Sequence, residues 1–322
     1  MTASPTPATK TIPAARTLPP AVLWAALGTI YLLFAAWAMG QWIVFGRLDL
    51  RAGGDYALSN DRKAVLWAAQ GAIAVAIAGV ITWNVRQCRR ERRLTFDAAL
   101  TIAYLTALWI GPVMNLGQHG VLYNRYLIHT PSWGPYIPGW RSPAGHQQIE
   151  TVLCSGLGFI AGIVWIHVIA TAIRLLVLRH RPQLTGLRFV LAATATAILI
   201  SLPLDAAWLL TGAFAFADSL PALTLFADQW YQLPLYKMAL TAILLGLVPY
   251  LVWYSQQTRG PESAILRGIG NVPRRARTTV QILAAIGLVH SCLLVFGPVN
   301  WLVSLATHGQ TAGTFPFPFD HP

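Results

Sequence analysis

The chain has 322 residues, of which 55% are hydrophobic and only 11% are charged, and its formal net charge is +12. This balance excludes an ordinary soluble globular domain, because such domains carry about 25% charged residues. The basic residues cluster in short segments between long apolar runs, which is typical of the cytoplasmic loops of membrane proteins. We therefore do not expect nucleic acid as a partner.

Seven apolar segments are each close to the ~20 residues that a helix needs to cross a hydrocarbon core of ~30 Å. In chain order they span residues 21–46, 64–83, 98–117, 151–173, 189–217, 238–254 and 280–306. The pattern predicts an all-α fold, a polytopic integral membrane helical bundle with about seven transmembrane helices. A re-entrant segment would make an eighth.

The two ends of the chain differ from the bundle in composition. Residues 1–20 are rich in Pro, Thr and Ala, which predicts a disordered tail. Residues 307–322 contain a Phe-Pro-Phe-Pro-Phe run that cannot be regular helix, because proline breaks helices. Between them we predict one bundle over 21–306, with a long loop over 118–150.

The distribution of Lys and Arg predicts the orientation in the membrane. Of the 23 basic residues, sixteen fall on one side of the predicted spans and seven on the other. The positive-inside rule places the richer side in the cytoplasm. We therefore expect a multi-pass protein of the cell membrane with a cytoplasmic N-terminus and the C-terminus outside.

A set of polar residues falls near one predicted depth, at the end of the bundle away from the basic loops. Polar groups close to hydrocarbon are costly and are commonly functional. Asp205 follows Arg188 by seventeen residues, a rise of roughly 25 Å along a helix. The spacing of i+3 and i+4 predicts that three of the set share one helix face. The set comprises Asn115, Gln118, His119, Glu150, Asp205, Asp228 and Asn300.

Each of these residues also has a structural explanation. Asp205 could cap or kink its helix after Pro203, and Glu150 and Asp228 could be ordinary interfacial charges. His119 could simply hydrogen-bond at the membrane interface. The Trp and Tyr residues of the 118–150 loop also suit an aromatic belt.

Several other chemistries do not fit the sequence. The eight histidines lack the clustered spacing that the ligands of di-iron oxidases have. His167 and His290 lie deeper in predicted spans and could be hydrogen-bonded core histidines or the two axial ligands of a haem, for which two isolated histidines are only weak evidence. The three lysines lie at predicted helix ends, which excludes a retinal-type Schiff base, and no nucleotide or redox motif is present. Acid–base chemistry without a metal or redox cofactor remains, or no chemistry at all.

Five stretches resemble the spirocyclase family of avermectin- and milbemycin-type polyketide pathways, the AveC family. The first two are the run NLGQHGVLYN from Asn115 to Asn124 and the run SWGPYIPGWRSP from Ser132 to Pro143, with Glu150 soon after it. The others are Arg181-Pro-Gln-Leu, Asp205 with Gly212 behind it, and DQWYQLPLY from Asp228 to Tyr236. The basic loop after the sixth predicted span completes the match. The resemblance covers roughly residues 60–305. The family commonly has glutamate where this chain has Asp205.

The resemblance implies an enzyme that needs no cofactor and acts on a hydrophobic macrolide in the bilayer. It would close a stereodefined spiroketal from a dihydroxy-ketone by acid–base catalysed loss of water, and some members also dehydrate the product ring. Asp205 or Glu150 would be the acid, with the other carboxylate or His119 as the base. The substrate-binding candidates are Asn115, Gln118, Tyr123, Trp133, Trp140, Asp228, Trp230, Tyr231, Gln232 and Asn300.

The alternative is a seven-helix membrane protein without enzymatic activity, either a small-solute transporter or a scaffold. A transporter would be expected to show inverted repeats and helices broken at mid-depth. Neither is evident in the sequence. A scaffold would tolerate the loss of the two carboxylates, so their substitution separates the two hypotheses.

Overall fold

The computed structural model describes residues 18–46, 48–54, 57–260 and 263–306. Most of the predicted N-terminal tail and all of the C-terminal tail lie outside these residues. In the described part, seven helices are long and apolar enough to cross a membrane. The predicted all-α bundle with about seven spans is confirmed.

Each of the first six predicted spans overlaps one long helix, and the seventh overlaps two. The helices are α1 (Pro20–Phe45), α2 (Asn60–Glu91), α3 (Phe96–Asn115), α4 (Val152–Leu178), α5 (Gly186–Leu210), α6 (Leu235–Arg259), α7 (Arg274–Leu294) and α8 (Phe296–Ala306). A short break separates α7 from α8, and the two together form the seventh apolar span.

Side-chain caps define where two of the helices begin. Ser59 accepts a hydrogen bond from the Arg62 backbone N–H at 3.3 Å, ahead of α2. Thr95 accepts one from the Ala98 N–H at 3.1 Å, ahead of α3. Such caps satisfy N–H groups that have no partner within the helix. They explain why both helices begin earlier than their apolar segments.

The predicted fifth span is wrong at its end, because α5 stops at Leu210 rather than continuing to residue 217. Gly212 has a φ of +76°, the left-handed conformation that commonly ends a helix. Beyond it, Phe214–Phe216 forms a strand instead of two further helical turns.

Short strands lie in the two connections that follow α3 and α5. We call residues 116–151 and 211–234 the loop layer. It contains β1 (Val121–Tyr123), β2 (His129–Pro131), β3 (Ile149–Thr151), β4 (Phe214–Phe216), β5 (Thr224–Leu225) and β6 (Leu233–Pro234). These pair antiparallel as β1 with β4, β2 with β3 and β5 with β6. The predicted long loop is therefore a folded layer, and β1–β4 joins its two halves.

Two glycines let α1 and α7 approach until their backbones touch. A Cβ at Gly28 would lie 1.9 Å from the Leu283 carbonyl oxygen, and one at Gly287 would lie 2.2 Å from the Trp24 carbonyl oxygen. No side chain fits at either position. Close crossings through small residues are typical of membrane helices, which gain no hydrophobic energy by leaving lipid.

Candidate functional site

Asn115 fixes the turn that leads from α3 into the loop layer. Its Oδ1 accepts hydrogen bonds from the backbone N–H groups of Gly120 and Val121, both at 2.9 Å. Its Nδ2 donates to the Val121 carbonyl at 2.9 Å. The helix ends here, so Gln118 and His119 lie beyond it. The predicted helix face shared by the three residues is wrong, because Asn115 turns the chain instead of continuing the helix.

Glu150 is completely buried on β3, where it pairs with Thr130 of β2. Ser132 Oγ donates to its Oε1 at 3.1 Å. Its Oε2 lies 2.9 Å from the point where Gly111 would carry a Cβ, so the carboxylate packs closely against the end of α3. A side chain larger than hydrogen at residue 111 would displace it. The carboxylate of Glu150 is therefore held in a fixed position.

His119 belongs to a small network within the loop layer. Gln148 Nε2 donates to His119 Nε2 at 2.8 Å and to Ser142 Oγ at 2.9 Å. His119 Nε2 also lies 3.1 Å from the Pro143 carbonyl oxygen. All three side chains are buried. This network ties the start of the long connection to its end.

A buried ion pair that the sequence did not reveal connects the loop layer to α6. Lys237 Nζ donates to Asp218 Oδ1 at 2.7 Å and to the Asp218 carbonyl at 3.1 Å. The side chains of Lys237 and Asp218 are only 3% and 0% exposed. Gln118 Nε2 donates to the other oxygen, Oδ2, at 3.1 Å. Lys237 was predicted at a helix end, and it lies in the first turn of α6, fully inside the protein.

Gln232 and Asn300 also bind other parts of the protein. Gln232 Nε2 donates to the Phe216 carbonyl at 2.7 Å, and Ser219 Oγ donates to Gln232 Oε1 at 2.7 Å. Asn300 Nδ2 of α8 donates to the Met114 carbonyl at 3.3 Å. Both amides are buried. They fasten β4 and the end of α3 to their neighbours.

Asp205 is different from these residues. It lies on a row of α5 residues spaced by four, in which Ala197, Ser201 and Leu209 are buried. Its Oδ2 is buried and has no hydrogen-bond partner among the described residues. Ser201, the local partner considered from the sequence, instead accepts a hydrogen bond from Trp165 Nε1 at 2.8 Å.

The residues that flank Asp205 pack against an apolar cluster of the loop layer. Leu202 and Ala206 contact this cluster, which includes Tyr123 and Ile149. Ile149 directly precedes Glu150, and successive side chains of a strand point to opposite faces. Ile149 thus lies toward α5, while Glu150 points away to Ser132 and the end of α3.

The tryptophans of the long connection are packed into the protein. Trp133 is buried, donates to the Trp109 carbonyl at 2.9 Å and meets Trp42 edge to face at 5.4 Å. Trp140 covers Gly134 and Gly145, where a Cβ would lie 2.4 Å and 2.6 Å from its ring. Both rings therefore stabilise the loop layer.

The remaining candidates lie between β5 and β6. Trp230 and Tyr231 meet edge to face at 5.4 Å, and the Arg62 guanidinium lies 6.0 Å from the Trp230 ring centroid. Arg62 also donates to the Leu210 and Thr211 carbonyls at the end of α5, at 2.8 and 2.9 Å. Asp228 is exposed, with a φ of +66°.

The two histidines inside the spans occupy separate places. His290 Nε2 lies 3.1 Å from the Ala103 carbonyl, and its Nδ1 accepts from Trp109 at 3.4 Å, as in a hydrogen-bonded core histidine. His167 Nε2 lies 3.7 Å from Asp97 Oδ1, which also accepts from Trp253 at 2.6 Å. In the described ranges, no three His, Cys, Asp or Glu side chains gather as a metal site would require.

Two cavities are described, and neither is lined by Glu150 or Asp205. One of about 360 Å³ lies between the start of α2 and the end of α5, and Arg62 and Leu210 are among its lining residues. Another of about 400 Å³ lies between α2 and α3, near the basic end of the bundle.

The comparisons with known proteins identify a family. A family model described as spirocyclase AveC-like matches residues 91–322, which is more than half of the chain. The match confirms the resemblance of the motifs, but it begins at residue 91 rather than near residue 60 and includes the C-terminal tail. Neither the search of curated proteins nor the search of solved structures returned a match.

Proposed function

The chain belongs to the AveC-like spirocyclase family, and from this premise we propose that it is a membrane-embedded enzyme that closes a spiroketal from a dihydroxy-ketone polyketide. One hydroxyl of such a substrate adds to the ketone as a hemiketal. The hemiketal hydroxyl then leaves as water, and the second hydroxyl adds to the same carbon. The reaction needs proton transfer and stabilisation of a cation, and no electron transfer.

The observation that carries this proposal is the carboxyl group of Asp205. It lies in an apolar helix, faces the bundle, and its Oδ2 has no hydrogen-bond partner among the described residues. A buried polar atom without a hydrogen-bond partner lowers the free energy of unfolding by about 1–3 kcal/mol. Groups that a fold keeps at such a cost are commonly functional. We infer that the missing partner of Asp205 is the substrate.

In the first step, Asp205 acts as the acid. Its carboxyl donates a proton to the hemiketal hydroxyl, the carbon–oxygen bond breaks, and water leaves. The carbon becomes an oxocarbenium ion, and Asp205 becomes a carboxylate. The positive and negative charges then lie close together in a medium of low dielectric constant, where their attraction is strong.

In the second step, the same carboxylate acts as the base. The remaining hydroxyl attacks the oxocarbenium carbon, a new carbon–oxygen bond forms, and Asp205 takes the hydroxyl proton. The carboxyl group is restored, and one water molecule is released for each turnover. One residue can therefore serve both roles that were first divided between Asp205 and a second group.

Glu150 has a different part in this proposal. Its carboxylate binds Ser132 and packs against Gly111, on the face of β3 that points away from α5. We assign it a positioning role, in which it holds the long connection onto the end of α3. His119 does the same through Gln148. Neither residue needs to contact the substrate.

The substrate would reach Asp205 from the bilayer. Leu204, the neighbour of Asp205 on α5, is 44% exposed, so the flank of this helix is open to an apolar molecule. A macrolide dissolved in lipid could move sideways to this point without crossing water. In this arrangement the basic loops lie in the cytoplasm and the loop layer lies outside.

The test is a comparison of three variants in membranes supplied with a dihydroxy-ketone substrate. Asp205→Asn keeps the size of the side chain and removes its acidity, so spiroketal formation should fall by about 10²–10⁴-fold. Glu150→Gln should retain most of the rate of the unmodified protein, when the rate is expressed per folded molecule. Asp228→Asn, at an exposed carboxylate, is the control and should be fully active.

The outcome is read by chromatography and mass spectrometry, which also reveal whether the product ring is dehydrated. Full activity of Asp205→Asn would remove the catalytic assignment. If Glu150→Gln instead abolishes turnover while remaining folded, Glu150 is the acid or base. Full activity of both variants would favour a transporter or scaffold.

A further inference from the structure

A lateral groove lies between α2 and α3, at the end of the bundle opposite to the loop layer. Its volume is about 400 Å³. Apolar side chains from both helices form most of its wall, and Arg89 and Cys88 lie at the end toward the basic loop. The lining residues are Ile81, Asn84, Val85, Cys88, Arg89, Leu94, Ala98, Thr101, Ile102 and Leu105. None of them belongs to the site around Asp205.

The deep part of the groove carries one polar atom without a partner. Asn84 is 4% exposed, and its Nδ2 donates to Thr101 Oγ1 at 2.9 Å and to the Val80 carbonyl at 3.0 Å. Its Oδ1 is buried and accepts no hydrogen bond from a described residue. A buried acceptor in this state needs a donor, either on a ligand or on a water that the ligand carries.

The mouth of the groove is strongly basic. Arg89 makes no ion pair with a described residue, and Arg86, Arg90 and Arg92 lie close to it in the sequence. Arg93 forms an ion pair with Glu91 at 2.9 Å. The nearby Asp97 accepts a hydrogen bond from Trp253 and lies beside His167, so both carboxylates at this end are already engaged. An anion at the mouth would therefore meet uncompensated positive charge.

We propose that this groove binds an anionic phospholipid, with one acyl chain against the apolar wall and the phosphate at Arg89. The proposal rests on the membrane placement of the bundle, but not on the chemistry at Asp205. Asn84 lies five residues before Arg89 on α2, about 7 Å further into the bundle. The ester carbonyls of the lipid would lie at this depth. A water there can donate both to an ester carbonyl and to Asn84 Oδ1.

The headgroup rather than the acyl chain determines selectivity in such a site. An acyl chain that enters the groove leaves one apolar environment for another, so it contributes little to the preference. The attraction between a basic side chain and an anionic headgroup adds about a fivefold preference. We therefore expect the groove to select phosphatidylglycerol over phosphatidylcholine.

The experiment measures lipid retained by the full-length protein. The protein is reconstituted in nanodiscs that contain equal amounts of phosphatidylglycerol and phosphatidylcholine, then released and analysed by native mass spectrometry. Val85, which is 44% exposed, allows the groove to be filled by Val85→Trp without disturbing the core. Val75→Trp is its matched control, because Val75 is 73% exposed on the same helix and does not line the groove.

We expect the unmodified protein to retain phosphatidylglycerol about fivefold over phosphatidylcholine. Arg89→Gln should remove this preference, and Val85→Trp should reduce retention of both lipids. Val75→Trp and Arg90→Gln, which lies outside the lining, should behave as the unmodified protein does.

Equal retention of the two lipids by the unmodified protein would overturn the proposal. Equal losses in Arg89→Gln and Arg90→Gln would also overturn it, because they would indicate a diffuse basic surface. A protein that does not enter nanodiscs at all would instead contradict the membrane placement in the proposed function. Loss of lipid selectivity in a variant that still forms the spiroketal would leave the catalytic proposal untouched.

Discussion

The loop layer and the α5 row around Asp205 differ in how they treat their polar groups. In the loop layer, Glu150 binds Ser132, Asp218 binds Lys237, and Asn115 binds the backbone. On α5, the carboxyl group of Asp205 lies in a similar apolar setting. Its buried Oδ2 has no hydrogen-bond partner among the described residues. Buried polar groups are ordinarily satisfied. The loop layer also holds buried polar atoms without a partner among the described residues, such as Thr130 Oγ1 and Gln148 Oε1. Its two buried carboxylates, however, each accept a hydrogen bond from a side chain, and this is the contrast with Asp205 Oδ2.

This difference has opposite consequences for stability. A carboxylate that is paired inside the protein should lose stability when its partner is removed. A carboxyl group without a partner should gain stability when it is replaced by an apolar side chain. The four predictions below use this sign to test the comparison, beginning with the largest effect.

Lys237→Met should lower the free energy of unfolding by about 3–5 kcal/mol, because Asp218 would remain charged and buried without its cation. Unfolding in mixed micelles with increasing sodium dodecyl sulfate measures it. The double variant Lys237→Met with Asp218→Asn should lose less than the single variant. Equal losses in both would mean that Lys237 stabilises the loop layer by packing alone.

Asp205→Leu should raise the free energy of unfolding by about 1–3 kcal/mol while it abolishes activity, because it removes a buried acceptor without a partner. The same unfolding titration measures it. Asp228→Asn, at an exposed position whose φ of +66° Asn also tolerates, should change stability by less than about 0.5 kcal/mol. If Asp205→Leu is destabilised, the carboxyl group serves the fold, and the two regions do not differ.

Ser132→Ala should lower the free energy of unfolding by about 1–3 kcal/mol, because it removes the hydrogen bond donated to Glu150 and the one accepted from the Gly134 N–H. The carboxylate of Glu150 would lose one donor but stay in place against Gly111. The rate of spiroketal formation per folded molecule should be unchanged. A large fall in rate at unchanged stability would instead place Ser132 and Glu150 in the chemistry.

His129 should make the loop layer sensitive to acid. Burial lowers its pKa below the ordinary 6.5, a hydrogen bond with the Leu127 carbonyl opposes this, and the positive charges of Arg125 and Arg51 add to it. The unfolded chain therefore takes up a proton more readily, so stability is complete above pH 6.5 and falls as the pH drops below it.

The measurement is the free energy of unfolding between pH 7.5 and about pH 5. His129→Gln should show a shallower loss than the unmodified protein over this range. His146→Gln, at an exposed histidine, should keep the original slope. An identical slope in all three proteins would contradict the assignment to His129.

The spans were predictable because a membrane helix is marked by the length of its apolar run. The loop layer was not, since three-residue strands such as β1 and β4 depend on partners almost a hundred residues away. Lys237 illustrates the same limit, because its position at the end of an apolar run looked interfacial. Only the fold brings Asp218 beside it and makes the pair a buried one.

The common depth of the polar residues was also readable from the sequence, but their functions were not. Depth follows from counting residues along a helix, whereas the partner of a side chain depends on tertiary contacts. Asn115 and Asp205 occupy comparable heights in that count. Asn115 hydrogen-bonds to the backbone, whereas Asp205 Oδ2 has no hydrogen-bond partner among the described residues. Shared depth therefore located the polar groups and did not sort them.

The contact of Gly28 with Leu283 has a consequence for the order of assembly. α1 emerges from the ribosome long before α7, and the matched family range begins only at Glu91, the last residue of α2. The surface of α1 that carries Gly28 therefore lacks its partner helix until more than two hundred further residues have been made. This seam can form only late in synthesis, because it joins the earliest described helix of the chain to one of the latest.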